Sequence, residues 1–200
     1  MDARTLARGV GLGAAALAVG VGTSSGRGRA ADEDAFRTLN RDAGRAADRL
    51  FTGVTELGSI WASVGAAAVL AATGRRRAAV MGLAAASATW LLGQGAKKLF
   101  LRPRPYEADP GGVRLLVDPP KATSWPSSHP AVLLSFLTVA GREAGLPRAA
   151  RAALVGLAGV VGASRVYVGV HYPADVAGGL LLGRAVADAV STGRPVDSAA

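Results

Sequence analysis

Residues 57–96 read LGSIWASVGAAAVLAATG, then RRR, then AAVMGLAAASATWLLGQGA, and this stretch decides the fold. Residues 57–74 and 78–96 are both uncharged, and each approaches the roughly 20 residues a helix needs to cross a bilayer core. Arg75, Arg76 and Arg77 separate them as a tight turn, which the positive-inside rule places in the cytoplasm. Working outward, the helix over 78–96 emerges outside at Lys97, and a polar, proline-rich loop over 102–125 follows. Residues 130–141 run back inward to a second basic loop with Arg142, Arg148 and Arg151, 152–164 return outward, and 176–189 go inward again. The arginines near Arg4, Arg75 and Arg148 then share one side, and Glu107, Asp109 and Asp118 the other.

Bulk composition agrees with this topology. Half of the residues are hydrophobic and mean hydropathy is +0.29, high for a chain with a wet surface. Charged residues, 18% of the chain, fall into clusters between apolar runs, where an amphipathic soluble helix would spread them along one face. A net charge of +9 raises the question of nucleic acid, but the arginines flank apolar runs and no RNA or DNA module is present, so no nucleic-acid partner is expected. The absence of cysteine excludes disulfides, a thiolate nucleophile and cysteine-ligated zinc. Alanine and glycine dominate the apolar runs, which suits close helix contact in lipid.

The expected architecture is all-α: a multi-pass transmembrane bundle of about six helices with its active site at the outer face of the cell membrane. Residues 1–26 read as a signal-anchor or first transmembrane helix, with a cleavable signal peptide as the alternative. Residues 27–51 mix acids and arginines with near-helical apolar spacing, as an amphipathic helix on the membrane surface does. Residues 52–190 form the membrane-embedded domain and 191–200 a cytoplasmic tail. Nothing in the sequence sets an oligomeric state.

The chain has two histidines, His129 and His171, both at expected outer ends of spans beside arginines that hydrocarbon would not tolerate unpaired. Three stretches converge on that rim: Lys97 with Arg104-Pro105, Pro126-Ser127-Ser128-His129, and Ser164-Arg165 followed by Gly169, His171 and Asp175. Together they resemble the signature of the type 2 phosphatidic acid phosphatase family, which includes glucose-6-phosphatases and vanadate-dependent haloperoxidases. The family pattern reads Lys-x6-Arg-Pro, Pro-Ser-Gly-His and Ser-Arg-x3-Gly-x-His-x3-Asp, and the resemblance covers about 57–189. The first and third stretches match at every defining position; the second departs at Ser128, where the family has glycine. The resemblance implies a phosphatase in which His171 becomes phosphorylated and His129 acts as acid and then base.

Residue chemistry leads to the same roles. A phosphoryl group in transit needs preorganised cations, an in-line nucleophile and an acid for the leaving oxygen. Lys97, Arg104 and Arg165 are the candidate cations, and the arginine fork can hold two phosphate oxygens at once. His171 is the candidate nucleophile, because an imidazole is largely neutral near pH 7. Asp175, just past Pro173, suits the first turn of a helix and can orient the ring, as a triad aspartate does. His129 is the candidate acid and base. Ser127 and Ser128 precede Pro130 at a helix start, where backbone N–H groups and hydroxyls can cap the helix and face an anion. A serine at 128 would be strained if the loop needs positive φ there.

The expected substrate is a lipid phosphomonoester or pyrophosphate, such as a polyprenyl (for example undecaprenyl) pyrophosphate or phosphate, phosphatidate or phosphatidylglycerophosphate, with membrane lipids as surroundings. No cofactor and no metal are expected, since the sequence offers no His or carboxylate cluster at metal spacing. Two alternatives compete: a vanadate haloperoxidase, which uses the same anion cage, and a non-catalytic helical scaffold whose rim charges pair with headgroups. Arg102, out of register with Lys97, reads as a loop or headgroup contact, and Lys98 as interfacial. Trp61, Trp90 and Trp125 read as packing or interface anchors, while Tyr106 and Tyr172 either shape the pocket or anchor at the interface.

Overall fold

The computed structural model describes residues 3–190 and is helical throughout, with no strand among the described residues. The helices are α1 (Ala3–Gly22), α2 (Gly26–Leu39), α3 (Arg45–Thr55), α4 (Ile60–Ala72), α5 (Arg76–Phe100), α6 (Pro105–Ala108), α7 (Ser128–Glu143), α8 (Arg148–Tyr167) and α9 (Pro173–Val190). Beyond the six expected spanning segments, α2 and α3 divide the segment expected over 27–51, and α6 lies in the loop before α7. The expected tail over 191–200 lies outside the described residues.

α7 is the central helix. It packs against α5, α8 and α9, and its buried face runs from Pro130 to Gly141 almost without interruption. Such all-round burial follows from a helix that is apolar on every side. Phe136 and Ala140 meet Gly82 on α5 so closely that a Cβ at Gly82 would lie 3.0 Å from Ala140 Cβ. On the other side, Gly179 and Gly183 let α9 approach the backbone of 127–131: an added Cβ would stand 2.3 Å from Ser127 O and 2.3 Å from Ala131 O. Small residues therefore set the separation between the helices that carry the second and third sequence stretches. α1 packs along α9.

Two expected segments differ from their observed form. The run over 57–74 does not form a straight span, because a 3-10 turn at Glu56–Gly58 and a break at Ser59 bend the chain by 67° between α3 and α4. Ser59 explains the break, since its side chain caps α4 by accepting Ala62 N–H at 3.1 Å. With 13 residues, α4 extends only about 20 Å at 1.5 Å per residue. The surface helix expected over 27–51 is two helices, α2 and α3, broken at Asn40–Gly44, and it does not merely lie on the bundle: Asp32 and Phe36 are buried in it. Asn40 makes the break a structural joint, donating to Arg114 O and Tyr167 O and accepting Arg114 N–H.

By length and composition, α1 and α8 are apolar enough to cross a membrane, and the bent pair α3 plus α4 adds a third if taken as one span. α5, which contains the expected span 78–96, has 25 residues but interrupts its apolar run with Ser87, Thr89 and Gln94.

Candidate active site

Lys97 near the end of α5, His129 in the first turn of α7, Arg165 in the last turn of α8 and Asp175 in the first turn of α9 all lie at the same end of the bundle. At the opposite end lie Arg77, Glu143, Arg148 and Asp188. The antiparallel up-and-down course of α5, α7, α8 and α9 thus gathers stretches that are far apart in sequence.

Pro105 opens α6 at its first position, where its missing N–H is harmless, and Arg104 N–H donates to Glu107 Oε2 at 2.7 Å. This anchors Arg104 while its guanidinium, only 3% exposed, turns inward. Nε donates to Ala122 O at 2.6 Å, and Nη1 donates to Val170 O at 2.8 Å and stands 3.2 Å from His171 Nε2. Lys97 is buried too, and Nζ donates to Thr123 O, Ser124 O and Pro126 O at 2.8, 3.2 and 2.9 Å. An ammonium has three protons, so Lys97 shapes the 123–126 loop with its hydrogen bonds and reaches the site with its charge.

The turn after α8 explains the third stretch. Gly169 has φ +88°, and a Cβ there would lie 2.5 Å from Arg114 O, so only glycine fits without displacing the backbone. Val170 N–H and His171 N–H both reach back to Arg165 O at 3.2 Å, which closes the helix and aims His171 into the bundle. His171 is 2% exposed. Its Nδ1 lies 3.4 Å from Asp175 Oδ2, and its Nε2 faces Arg104. Because a guanidinium can only donate, Nε2 carries the lone pair and Nδ1 the proton in the neutral ring. Burial first, and then the positive charges of Arg104, Lys97 and Arg165 with His129, hold this imidazole well below its ordinary pKa of 6.5. Those charges therefore share one neighbourhood with His171.

Arg165 and His129 line a cavity of about 460 Å³ together with Glu56, Leu116, Val117 and Asp118. Arg165 Nη1 donates to Thr55 Oγ1 at 2.8 Å, while Nε is buried without a hydrogen-bond partner among the described residues. The bend after α3 brings Gly58 against His129, where a Cβ would stand 2.7 Å from His129 Cβ.

Ser127 differs from expectation in its backbone and in the missing cap. Ser127 N–H donates to Asp175 O at 2.9 Å, so it ties the second stretch to the third and is not free for an anion. Its hydroxyl makes no capping bond, and neither it nor the Ser128 hydroxyl has a partner among the described residues. Ser128 begins α7 with ordinary φ, so serine there is unstrained. Arg102 is the clearest correction: it is no headgroup contact but is buried between Asp32 and Asp175, because a guanidinium this far inside needs carboxylates on both sides. Asp32, Arg102, Thr55, Glu56 and Ser124 are not among the expected site residues. Only Arg102 carried a signal, the doubled Arg-Pro over 102–105.

Trp125 is buried against Phe100, as a packing residue, whereas Trp61 is 78% exposed. Tyr106 bonds Pro120 O, and Tyr172 lies under Arg102.

Over the described residues, fold and site together define an all-helical bundle with a buried cluster of cations and an imidazole–carboxylate pair at one end. Residues 77–195 match the profile of the PAP2 superfamily, and the chain belongs to that superfamily. It is 38% identical over 101 residues to the decaprenylphosphoryl-5-phosphoribose phosphatase of Mycobacterium tuberculosis, covering 49% of this chain and 52% of that protein. The chain thus spans about half the length of the curated relatives it matches. Among solved structures, the first transmembrane PAP2 type phosphatidylglycerolphosphate phosphatase from Bacillus subtilis shares the fold, with a TM-score of 0.77 at 23% identity over 92% of this chain and 94% of that one. Aquifex aeolicus LpxE gives a TM-score of 0.65 at 25% identity over 78% and 91%.

Proposed function

We propose that this protein is a metal-independent lipid phosphatase of the cell membrane, which hydrolyses a phosphomonoester or pyrophosphate of a lipid through a phosphohistidine at His171. The observation that carries this reading is the placement of the His171 ring, with Asp175 on Nδ1 and Arg104 on Nε2 in a buried setting. A phosphate gripped by Arg104 is delivered to the nitrogen that the guanidinium touches. Nε2 attacks phosphorus, the bond from phosphorus to the lipid oxygen breaks, and His129, entering the step as the imidazolium with the phosphate dianion bound beside it, gives that oxygen its proton. Asp175 holds the Nδ1 proton and balances the positive charge the ring acquires. His129, now neutral, then takes a proton from water, whose oxygen attacks phosphorus and breaks the bond to Nε2, releasing phosphate and restoring both imidazoles.

Arg104 and Arg165, with Lys97 beside them when protonated, supply the positive charge that a divalent ion supplies in other phosphoryl-transfer sites. The Mycobacterium relative acts, by its name, on a phosphate borne by a polyprenyl-linked sugar, so a polyprenyl carrier leads the candidate substrates here. The site faces outward: the basic loops over 75–77 and 142–151 then remain in the cytoplasm, and the bundle over 52–190 is the membrane-embedded catalytic unit. The segment over 1–26 is retained as a first span, consistent with the packing of α1 on α9.

The test is phosphate release from a panel of lipid phosphates in detergent, by wild type, His171→Ala and His129→Ala, with chelator present throughout. Both variants should keep the fold and lose turnover by at least about a thousandfold, on the scale of losing a nucleophile or its acid. Wild type given radiolabelled substrate and quenched in base should carry label that acid removes, and His171→Ala should carry none. Turnover by His171→Ala, or wild-type activity that chelator abolishes and magnesium restores, would overturn the reading.

A further inference from the structure

Asp175 uses both of its carboxylate oxygens. Oδ2 accepts Tyr172 N–H at 2.8 Å and the Ser124 hydroxyl, and faces His171 Nδ1. Oδ1 accepts Arg102 Nη1 at 2.8 Å. The other fork of Arg102, Nη2, donates to Asp32 Oδ2 at 2.6 Å, and Asp32 Oδ1 accepts Ala174 N–H at 2.9 Å. The guanidinium is stacked 4.2 Å from the centre of the Tyr172 ring. Arg102 and Asp32 are each 7% exposed and Asp175 is fully buried.

Charge decides what this chain of contacts does. A buried guanidinium paired with Asp175 alone would neutralise it, and Asp175 would then offer little to an imidazole that becomes positive on attacking phosphorus. Asp32 changes the sum: two carboxylates and one guanidinium leave one net negative charge, and Asp175 holds the end of it that faces His171. The geometry serves the same purpose. Arg102 fixes Oδ1, Tyr172 N–H and Ser124 fix Oδ2, and the carboxylate cannot rotate away from Nδ1.

We infer that Arg102 and Asp32 are positioning residues for the reaction: Arg102 locks Asp175 toward His171, and Asp32, by sharing Arg102, preserves the negative charge that Asp175 presents to the imidazole. This rests on His171 as the nucleophile. It also places part of the working site outside residues 77–195, since Asp32 belongs to α2, which the superfamily profile does not reach.

Asp32→Asn separates charge from packing, because the amide oxygen can still accept Ala174 N–H while the charge is lost. On whichever panel lipid the wild type turns over fastest, this variant should lose about tenfold or more in kcat with KM within about threefold, an effect on the transition state and not on binding. Asp32→Asn/Arg102→Gln restores the net single negative charge, so it should recover several-fold in kcat over Asp32→Asn although it removes more hydrogen bonds. A merely structural role gives the opposite order, with the double variant the worst of the three and its melting temperature tracking its activity. Wild-type kcat in Asp32→Asn, or a double variant no better than the single, overturns the inference. His171→Ala is run beside them: an inactive His171→Ala with a normal Asp32→Asn removes only this inference, whereas an active His171→Ala removes the nucleophile assignment itself.

Discussion

The two ends of the bundle both contain a fully buried aspartate among arginines, and they are built on different principles. At the site end, Arg102, Arg104 and Arg165 are at most 7% exposed, and each is committed to specific partners: two carboxylates, a set of carbonyls, and Thr55. At the other end, Asp188 collects Arg8 from α1 at 2.8 Å, Arg142 from α7 at 3.0 Å and Arg184 from its own helix at 3.1 Å. Those side chains are 53, 27 and 29% exposed, so each keeps part of its hydration. Arg77, paired with Glu143 nearby, is 67% exposed. The Asp188 cluster joins three helices at a partly exposed end, whereas the site end accepts the desolvation of several cations. Such a concentration of unscreened positive charge has value where an anion is to be bound.

The sharpest way to break this contrast is Arg104→Lys. An ammonium keeps the charge but cannot bond Ala122 O, Val170 O and the His171 face from one planar fork. We expect kcat/KM to fall by about a hundredfold or more, on the scale of removing one preorganised donor, with little change in melting temperature. A conservative Arg→Lys change among the exposed arginines of the other end, such as Arg77→Lys, should leave kcat/KM within about twofold.

A second expectation uses the opposite end. Asp188→Asn removes the carboxylate that Arg8, Arg142 and Arg184 share, which should cost about 2 kcal/mol, a discounted value because the arginines are partly exposed. The loss should appear as a lower melting temperature in detergent that recovers partly with salt, while kcat per folded molecule stays unchanged. A fall in kcat without a fall in melting temperature would mean that the two ends are coupled through α9 and the comparison is wrong.

Acidity distinguishes the ends again. His171 is held well below 6.5, so the ring stays neutral through mildly acidic pH and the acid limb of kcat/KM set by it should lie below 6.5. The linkage has a definite sign. The folded state resists protonating His171 more than the unfolded chain does, so its contribution to stability is complete above pH ~6.5 and is lost as pH falls from there toward the folded value. A melting-temperature profile should therefore slope downward on acidification in wild type and less so in His171→Ala. Equal slopes would show that another group controls the acid side.

These results also define what the sequence made legible. Lys97, Arg104, His129, Arg165, His171 and Asp175 share spacing that survives in the linear chain, because each short stretch sits on one helix end or one turn. Gly169 was legible for the same reason, its left-handed φ being a local demand. Asp32 is not, because its partner Arg102 lies 70 residues away and nothing in the periodicity of α2 separates a buried acid from its less buried neighbours Glu33 and Asp34. The bend at Ser59 is hidden for a different reason: in an uninterrupted apolar run, hydropathy outweighs a one-residue capping signal, the Ser59 side chain accepting Ala62 N–H.

Ser128→Gly gives the smallest expected effect and the finest test. Ser128 replaces the glycine expected from the family pattern, yet its φ is ordinary and its hydroxyl has no hydrogen-bond partner among the described residues. Glycine would therefore relieve no strain and remove no bond, and its main consequence would be the entropy of a freer backbone at the start of α7, about 0.5–1 kcal/mol. We expect a melting temperature lower by a few degrees, on the scale of about 4 °C per kcal/mol for a chain of this size, and kcat/KM within about threefold of wild type. A gain of tenfold or more would show that the serine hydroxyl obstructs the approach of substrate to His129, and that the site end carries a restriction its hydrogen bonds do not reveal.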